Sequence, residues 1–222
     1  VLRHVRERRV RHRTEVAKNR RAVRAVAAIY AGTLLVVVGM IAALREGLDP
    51  DVASLASHAL FALCGVVGIA ILGRGVWRET LAARPRPLAV VLGIGTGLVI
   101  FAVATGYVLL LDAIVPASEP LDLEGPILLL LLDIAVLPAL IEEWVDRGVL
   151  WFACRRVGSV RMTILVTATL FALTHGVAWG FLGLPHRFVM GLILGWLRHR
   201  TGSLVPGIAA HFVNNALAVA VA

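Results

Sequence analysis

The sequence predicts an all-α protein, a polytopic bundle of about seven membrane-spanning helices with its N-terminus in the cytoplasm. Three observations predict it. Mean hydropathy is +0.87, with 59% hydrophobic and only 16% charged residues among the 222, far on the apolar side of soluble domains. The apolar residues fall in continuous runs of about 20, enough for a helix to cross a hydrocarbon core and unlike the alternation of a barrel strand. The charges of the connecting segments alternate in sign along the chain, as the positive-inside rule requires.

Residues 1–24 form a basic cytoplasmic segment holding ten Lys/Arg and two Glu. This accounts for the whole formal charge of +8, because twelve basic residues balance twelve acidic ones from residue 25 onward. A charge so confined argues against nucleic acid as a partner. Arg3, Arg6, Arg8, Arg9, Arg11, Arg13, Arg20, Arg21 and Arg24 set the orientation of the first helix and offer anionic lipids roughly 1 kcal/mol per nearby charge. The first span, 26–44, is too long for a signal-peptide h-region and lacks a cleavage context, so it reads as a retained helix. Val1 fits an alternative initiator codon translated literally.

The remaining spans are placed at 53–73, 87–111, 127–153, 162–180, 187–199 and 203–222, the fourth long and the sixth short. The loop with Arg45, Glu46, Asp49 and Asp51 is mainly acidic and faces out, while the next, with Arg74, Arg78, Arg84 and Arg86, faces in. Asp112, Glu119, Asp122 and Glu124 face out again; Arg155, Arg156, Arg161 and later Arg198 and Arg200 face in. No repeat or low-complexity linker divides the chain, so residues 25–222 read as one integral membrane domain. Cys64 and Cys154 form no C-x-x-C pair, which argues against a disulfide or a cysteine-ligated zinc.

Three polar motifs interrupt the apolar runs: Glu142-Glu143-x-x-x-Arg147, Phe171-x-x-x-His175 and His211-x-x-x-Asn215. Ionisable groups at membrane depth cost at least about 2.5 kcal/mol each and so mark a polar task. On a helix, Glu143 and Arg147 stand at i and i+4 and can pair, which leaves Glu142, about 100° round, free. A solvated cluster at a helix end is the alternative, but Gly148-Val149-Leu150-Trp151-Phe152 resumes the apolar run and argues for burial.

A turn near Gly158-Ser159 puts Glu142 and His175 about sixteen residues to either side, hence at one depth for a rise of about 1.5 Å per residue. A carboxylate and an imidazole at one level can activate a shared water; alone, His175 reads as a core histidine. His211 and Asn215 share a face of the last helix, with Asn214 nearby, and both can donate hydrogen bonds as an oxyanion hole requires. Polar glue between helices is the competing reading. Asp133 lies about 180° from Glu142 and reads as a hydrogen-bonded carboxyl outside that site. Ser54, Ser57 and His58 read as interhelical hydrogen bonders, and Trp144, Trp151 and Trp179 as interfacial or packing aromatics.

In their order and spacing, Glu142-Glu143-Trp-Val-Asp-Arg147-Gly148, Phe171-Ala-Leu-Thr-His175-Gly176 and Thr201-Gly202-Ser203-Leu-Val-Pro206-Gly-Ile-Ala-Ala-His211-Phe-Val-Asn214-Asn215 resemble the CPBP family over about residues 125–222. That family comprises intramembrane endopeptidases, including the CAAX prenyl proteases and the bacterial Abi proteins. The resemblance implies an all-helical core with a cavity open to the cytoplasm and a membrane-associated protein or peptide as substrate. It also implies Glu142 as general base assisted by His175, Glu143 and Arg147 as organisers, and His211 with Asn215 on the oxyanion. A multi-pass protein of a prokaryotic plasma membrane is the matching expectation.

The cofactor question stays open between none and a single divalent metal such as zinc: two histidines and a glutamate can hold zinc, yet no H-E-x-x-H helix occurs. Asp146 stands where the family commonly has an aromatic residue. On nearly the same face as Glu142, it modifies that group's charge, competes for Arg147 or adds a metal ligand. It also leaves open an inactive immunity or scaffold member of the same fold. A proton-coupled transporter is the remaining alternative, since buried carboxylates and histidines also build proton relays.

Overall fold

In the computed structural model the described residues are 2–73, 75–76, 86–114, 125–179 and 181–221, with side chains described from residue 14 onward except at 176–180. Val1, the basic side chains before Thr14, Arg74, Arg78, Arg84, Glu119, Asp122, Glu124 and the Trp179 side chain lie outside the described set. The described residues form seven helices and no strand: α1 (Leu2–Arg45), α2 (Pro50–Leu72), α3 (Pro87–Ile114), α4 (residues 127–157), α5 (Val160–Trp179), α6 (Leu184–Thr201) and α7 (Val205–Val221). The all-α bundle expected from the hydropathy pattern is present. Thr14–Arg45, Pro50–Leu72 and Pro87–Ile114 are long and apolar enough to cross a membrane, and Val160–His175 and Val205–Val221 are shorter apolar helices.

Local chemistry sets several boundaries. Asp49 caps α2, its carboxylate accepting from the amides of Asp51 (2.9 Å) and Val52 (3.2 Å), and Pro50 follows where no amide donor is needed. α6 stops at Gly202, whose φ of 68° is the left-handed conformation that favours glycine. α1 runs unbroken through residue 24, so the basic segment is the first part of the helix that goes on to form the first span.

Small residues bring the helices together, as expected where apolar burial cannot drive association in lipid. Gly93 and Gly97 of α3 lie against the backbone of Pro206 and Ala210 of α7; a Cβ at Gly97 would stand 2.6 Å from the Ala210 carbonyl oxygen. Gly65 of α2 receives the Trp144 ring, and Gly68 packs on Ile29 and Val149. Trp144 and the buried Trp151 are therefore packing aromatics. Ala22 and Ala25 of α1 pack on Ala153, which gathers Arg21 and Arg24 at the end of the bundle that also carries Arg155 and Arg156.

Gly97→Ala is expected to lower stability by about 1–3 kcal/mol through overpacking. Gly95, on the same helix, has no neighbour within 4 Å of the place a Cβ would occupy, and Gly95→Ala should be neutral or slightly stabilising. Thermal unfolding of the two variants in one detergent separates close packing from helix propensity.

The fourth helix is the irregular one. Two π-helical stretches, Leu131–Val136 and Glu143–Leu150, interrupt its α-helical turns, and each frees backbone carbonyls that a regular helix would use internally. Pro138 adds to this, because it has no N–H to offer the Ile134 carbonyl four residues back. These carbonyls become docking points for side chains from other helices.

Candidate active site

The most deeply buried node is ionic. Arg147 is 0% exposed and Glu143 is 1% exposed, and Arg147 Nη1 donates to Glu143 Oε1 at 3.0 Å, the i, i+4 pair expected. Arg147 Nη2 donates to the Gly191 carbonyl of α6 at 3.3 Å, and the guanidinium carbon lies 4.6 Å from the centre of the Phe171 ring. His211 of α7 turns Nδ1 to the same Glu143 oxygen at 3.4 Å. Glu143 thus joins α4 to α7. The glycine at 207 makes room for it, since a Cβ there would meet Glu143 Oε2 at 2.9 Å.

With Nδ1 directed at a carboxylate, the free atom of His211 is Nε2, which is buried and has no hydrogen-bond partner. Phe171 packs edge-on to His211 at 5.9 Å and tilted against His175 at 4.4 Å. The aromatic residue of the second motif is therefore a spacer between the two histidines and a platform for Arg147.

Glu142 and His175 form the second node. His175 Nε2 lies 3.5 Å from Glu142 Oε2, with side-chain exposures of 16% and 15%. His175 Nδ1 is 2.7 Å from the Phe171 carbonyl oxygen. A carbonyl only accepts, so Nδ1 carries the proton, and in the neutral ring Nε2 presents a lone pair towards Glu142. Glu142 Oε2 has no hydrogen-bond partner of its own. Two acceptors face one another, a geometry completed by a donor such as water bound to both.

Asn215 connects differently from His211. Its Nδ2 donates to the Ile134 carbonyl at 2.8 Å, the group left without a donor by Pro138, and its Oδ1 accepts from Asn214 Nδ2 at 2.8 Å. One N–H of Asn215 remains. Asp146 is buried and its Oδ2 is 3.5 Å from Arg147 Nη1, so it pairs with Arg147 alongside Glu143 and not in its place. Asp133 accepts from Ser54 Oγ at 2.7 Å and lies 3.5 Å from His58 Nδ1, a polar clasp between α4 and α2 distinct from the two nodes.

Two arginines join this region without a motif to announce them. Arg198, expected only as an inward-facing charge at the end of the sixth span, is 8% exposed, and its Nε donates to the Arg147 carbonyl at 3.0 Å. The reason is the π-helix: the Trp151 amide bonds to Asp146 and Gly148 and leaves the carbonyl of Arg147 available. Arg198 Nη1 also donates to the Gly202 carbonyl, which ties it to the turn before α7. Arg187, expected only as the start of the sixth span, lies close enough for its charge to act on Glu142, His175 and His211.

Among the described residues no group of three or more His, Cys, Asp or Glu side chains is arranged to hold a metal ion. The physical reason is that the two histidines face different carboxylates, His175 towards Glu142 and His211 towards Glu143.

Residues 124–217 match the family described as Type II CAAX prenyl endopeptidase Rce1-like. No curated protein and no solved structure matches the chain.

Proposed function

We propose, because residues 124–217 match the Type II CAAX prenyl endopeptidase Rce1-like family, that the chain is an intramembrane endopeptidase in which Glu142 and His175 activate a water molecule. The observation that carries this reading is the facing pair of acceptors, Glu142 Oε2 and His175 Nε2, 3.5 Å apart with no other partner on that carboxylate oxygen. Water bound beside this pair, in reach of both acceptors, gives a proton to Glu142 as its oxygen attacks the scissile carbonyl carbon. Glu142 then returns that proton to the departing amide nitrogen as the C–N bond breaks. The oxyanion formed in between is served by the remaining N–H of Asn215 and by His211 Nε2, which donates in the doubly protonated ring whose Nδ1 faces the Glu143 carboxylate, while Glu143 and Arg147 hold His211 in place.

The substrate class is a membrane-associated protein or peptide, which the apolar surroundings of the site favour over a soluble one. The three long apolar helices support insertion in a membrane, and the arginines collected beside Ala22, Ala25 and Ala153 support a cytoplasmic basic end; a multi-pass protein of a prokaryotic plasma membrane is the proposed setting. Anionic lipid headgroups are the natural partners of that end.

The reading is tested by reconstituting the chain in liposomes with a mixture of quenched-fluorescent apolar peptides and sequencing any new termini. Cleavage by the wild-type chain is the expected result. Addition of 1,10-phenanthroline should change the rate by less than about twofold, since the water is activated by a carboxylate and an imidazole rather than by a Lewis acid. Complete inhibition restored by zinc would overturn the metal-free part of the proposal.

A further inference from the structure

Arg187 is a partly buried cation for which the three motifs provide no role. It stands in the first turn of α6, its Nε is buried without a hydrogen-bond partner, and no described residue forms an ion pair with it. Its position follows from the register of α5 against α6. Gly195 packs on Ile164 and Gly191 on Ala168, so one more turn brings Arg187 level with Ala172, between Phe171 and His175. Tyr107 of α3 fixes the entry to α6 by donating to the Leu182 carbonyl at 2.7 Å.

An arginine at this depth is costly unless neutralised. Arg147 is neutralised by Glu143 at 3.0 Å, whereas the carboxylate whose charge acts on Arg187 is Glu142. Glu142 loses its negative charge each time it takes the proton from water, and at that moment Arg187 has no counter-charge among the described residues. A guanidinium presents a planar fork of donors that matches a carboxylate in two-point contact, and such charge-assisted bonds are among the stronger ones.

We propose that Arg187 binds a carboxylate of the substrate and so makes the site selective for peptides with a negative charge close to the scissile bond. The proposal rests on the protease reading. A free C-terminal carboxylate and an Asp or Glu side chain share the required chemistry, and the peptides used distinguish them.

One apolar quenched-fluorescent peptide mixture is prepared in three forms: with a free C-terminal carboxylate, with a C-terminal amide, and amidated with one internal Glu. In liposomes the wild-type chain should prefer one acidic form over the amide by about tenfold or more in kcat/KM, and the form preferred identifies the source. Arg187→Gln should bring that ratio to within about twofold, and Arg187→Lys should retain part of it. No preference in the wild type, or equal slowing of all three forms by Arg187→Gln, overturns the proposal; the latter outcome assigns Arg187 to Glu142 alone.

Binding of the same three forms to the Glu142→Gln chain, followed by fluorescence anisotropy, gives a readout independent of turnover. Carboxylate-selective binding that disappears on adding Arg187→Gln supports the Arg187 site even where no peptide is cleaved, a result that counts against the protease reading alone. Equal binding of all three forms overturns the Arg187 site even where cleavage depends on Glu142.

Discussion

Glu142→Gln is expected to reduce peptide cleavage by about 10³-fold, within the range contributed by a positioned general base, while the protein still inserts and folds. Glutamine keeps the size and polarity of the side chain and removes only its capacity to take the proton from water. His175→Ala should cause a loss of similar order, because the water then has a single acceptor. In the proposed mechanism the two residues act on one water, so the double variant should be little worse than the more damaged single one. The check is kcat/KM for all three variants in the same liposomes, with thermal unfolding of each to establish that the bundle is intact.

Arg147→Met is expected to be the most destabilising single change in the polar core, by about 3–5 kcal/mol, the usual consequence of removing one partner of a buried ion pair. It leaves Glu143, 1% exposed, with His211 at 3.4 Å as its remaining partner and removes the donor to the Gly191 carbonyl and the cation over Phe171. The double variant Glu143→Leu/Arg147→Met should recover part of the loss, since Asp146 alone, and no longer Glu143, then stays buried without the guanidinium. Denaturant or thermal unfolding in detergent measures both, and equal stability of Arg147→Met and the double variant contradicts the ion-pair argument.

The parts of this site that are legible in the sequence are those set by local helix geometry or by simple depth. Glu143 and Arg147 pair because four residues bring side chains onto one face, and Glu142 meets His175 because a turn near Gly158 places them at one level. Asp133 is also separable from Glu142 by angle alone, and its partners are Ser54 and His58, both expected as interhelical bonders.

What escapes the sequence depends on departures from the regular helix or on register between helices. The role of Arg198 follows from the carbonyl of Arg147 that a π-helical turn leaves open, and no residue pattern in that segment announces the turn. Arg187 sits where it does because Gly191 and Gly195 set the closeness and register of α6 on α5. The anchoring of Asn215 on Ile134 could in principle be anticipated from Pro138, yet only the packed structure shows which side chain takes up the carbonyl.

The central claim, that Glu142, His175 and His211 together cleave peptide bonds in the membrane, is tested most directly by sequencing protein termini in membranes from cells carrying the wild-type chain or Glu142→Gln, His175→Ala or His211→Ala at equal abundance. The account predicts new termini in membrane-associated proteins with the wild-type chain and their absence with each of the three variants. The same termini appearing in all three variant strains would contradict it.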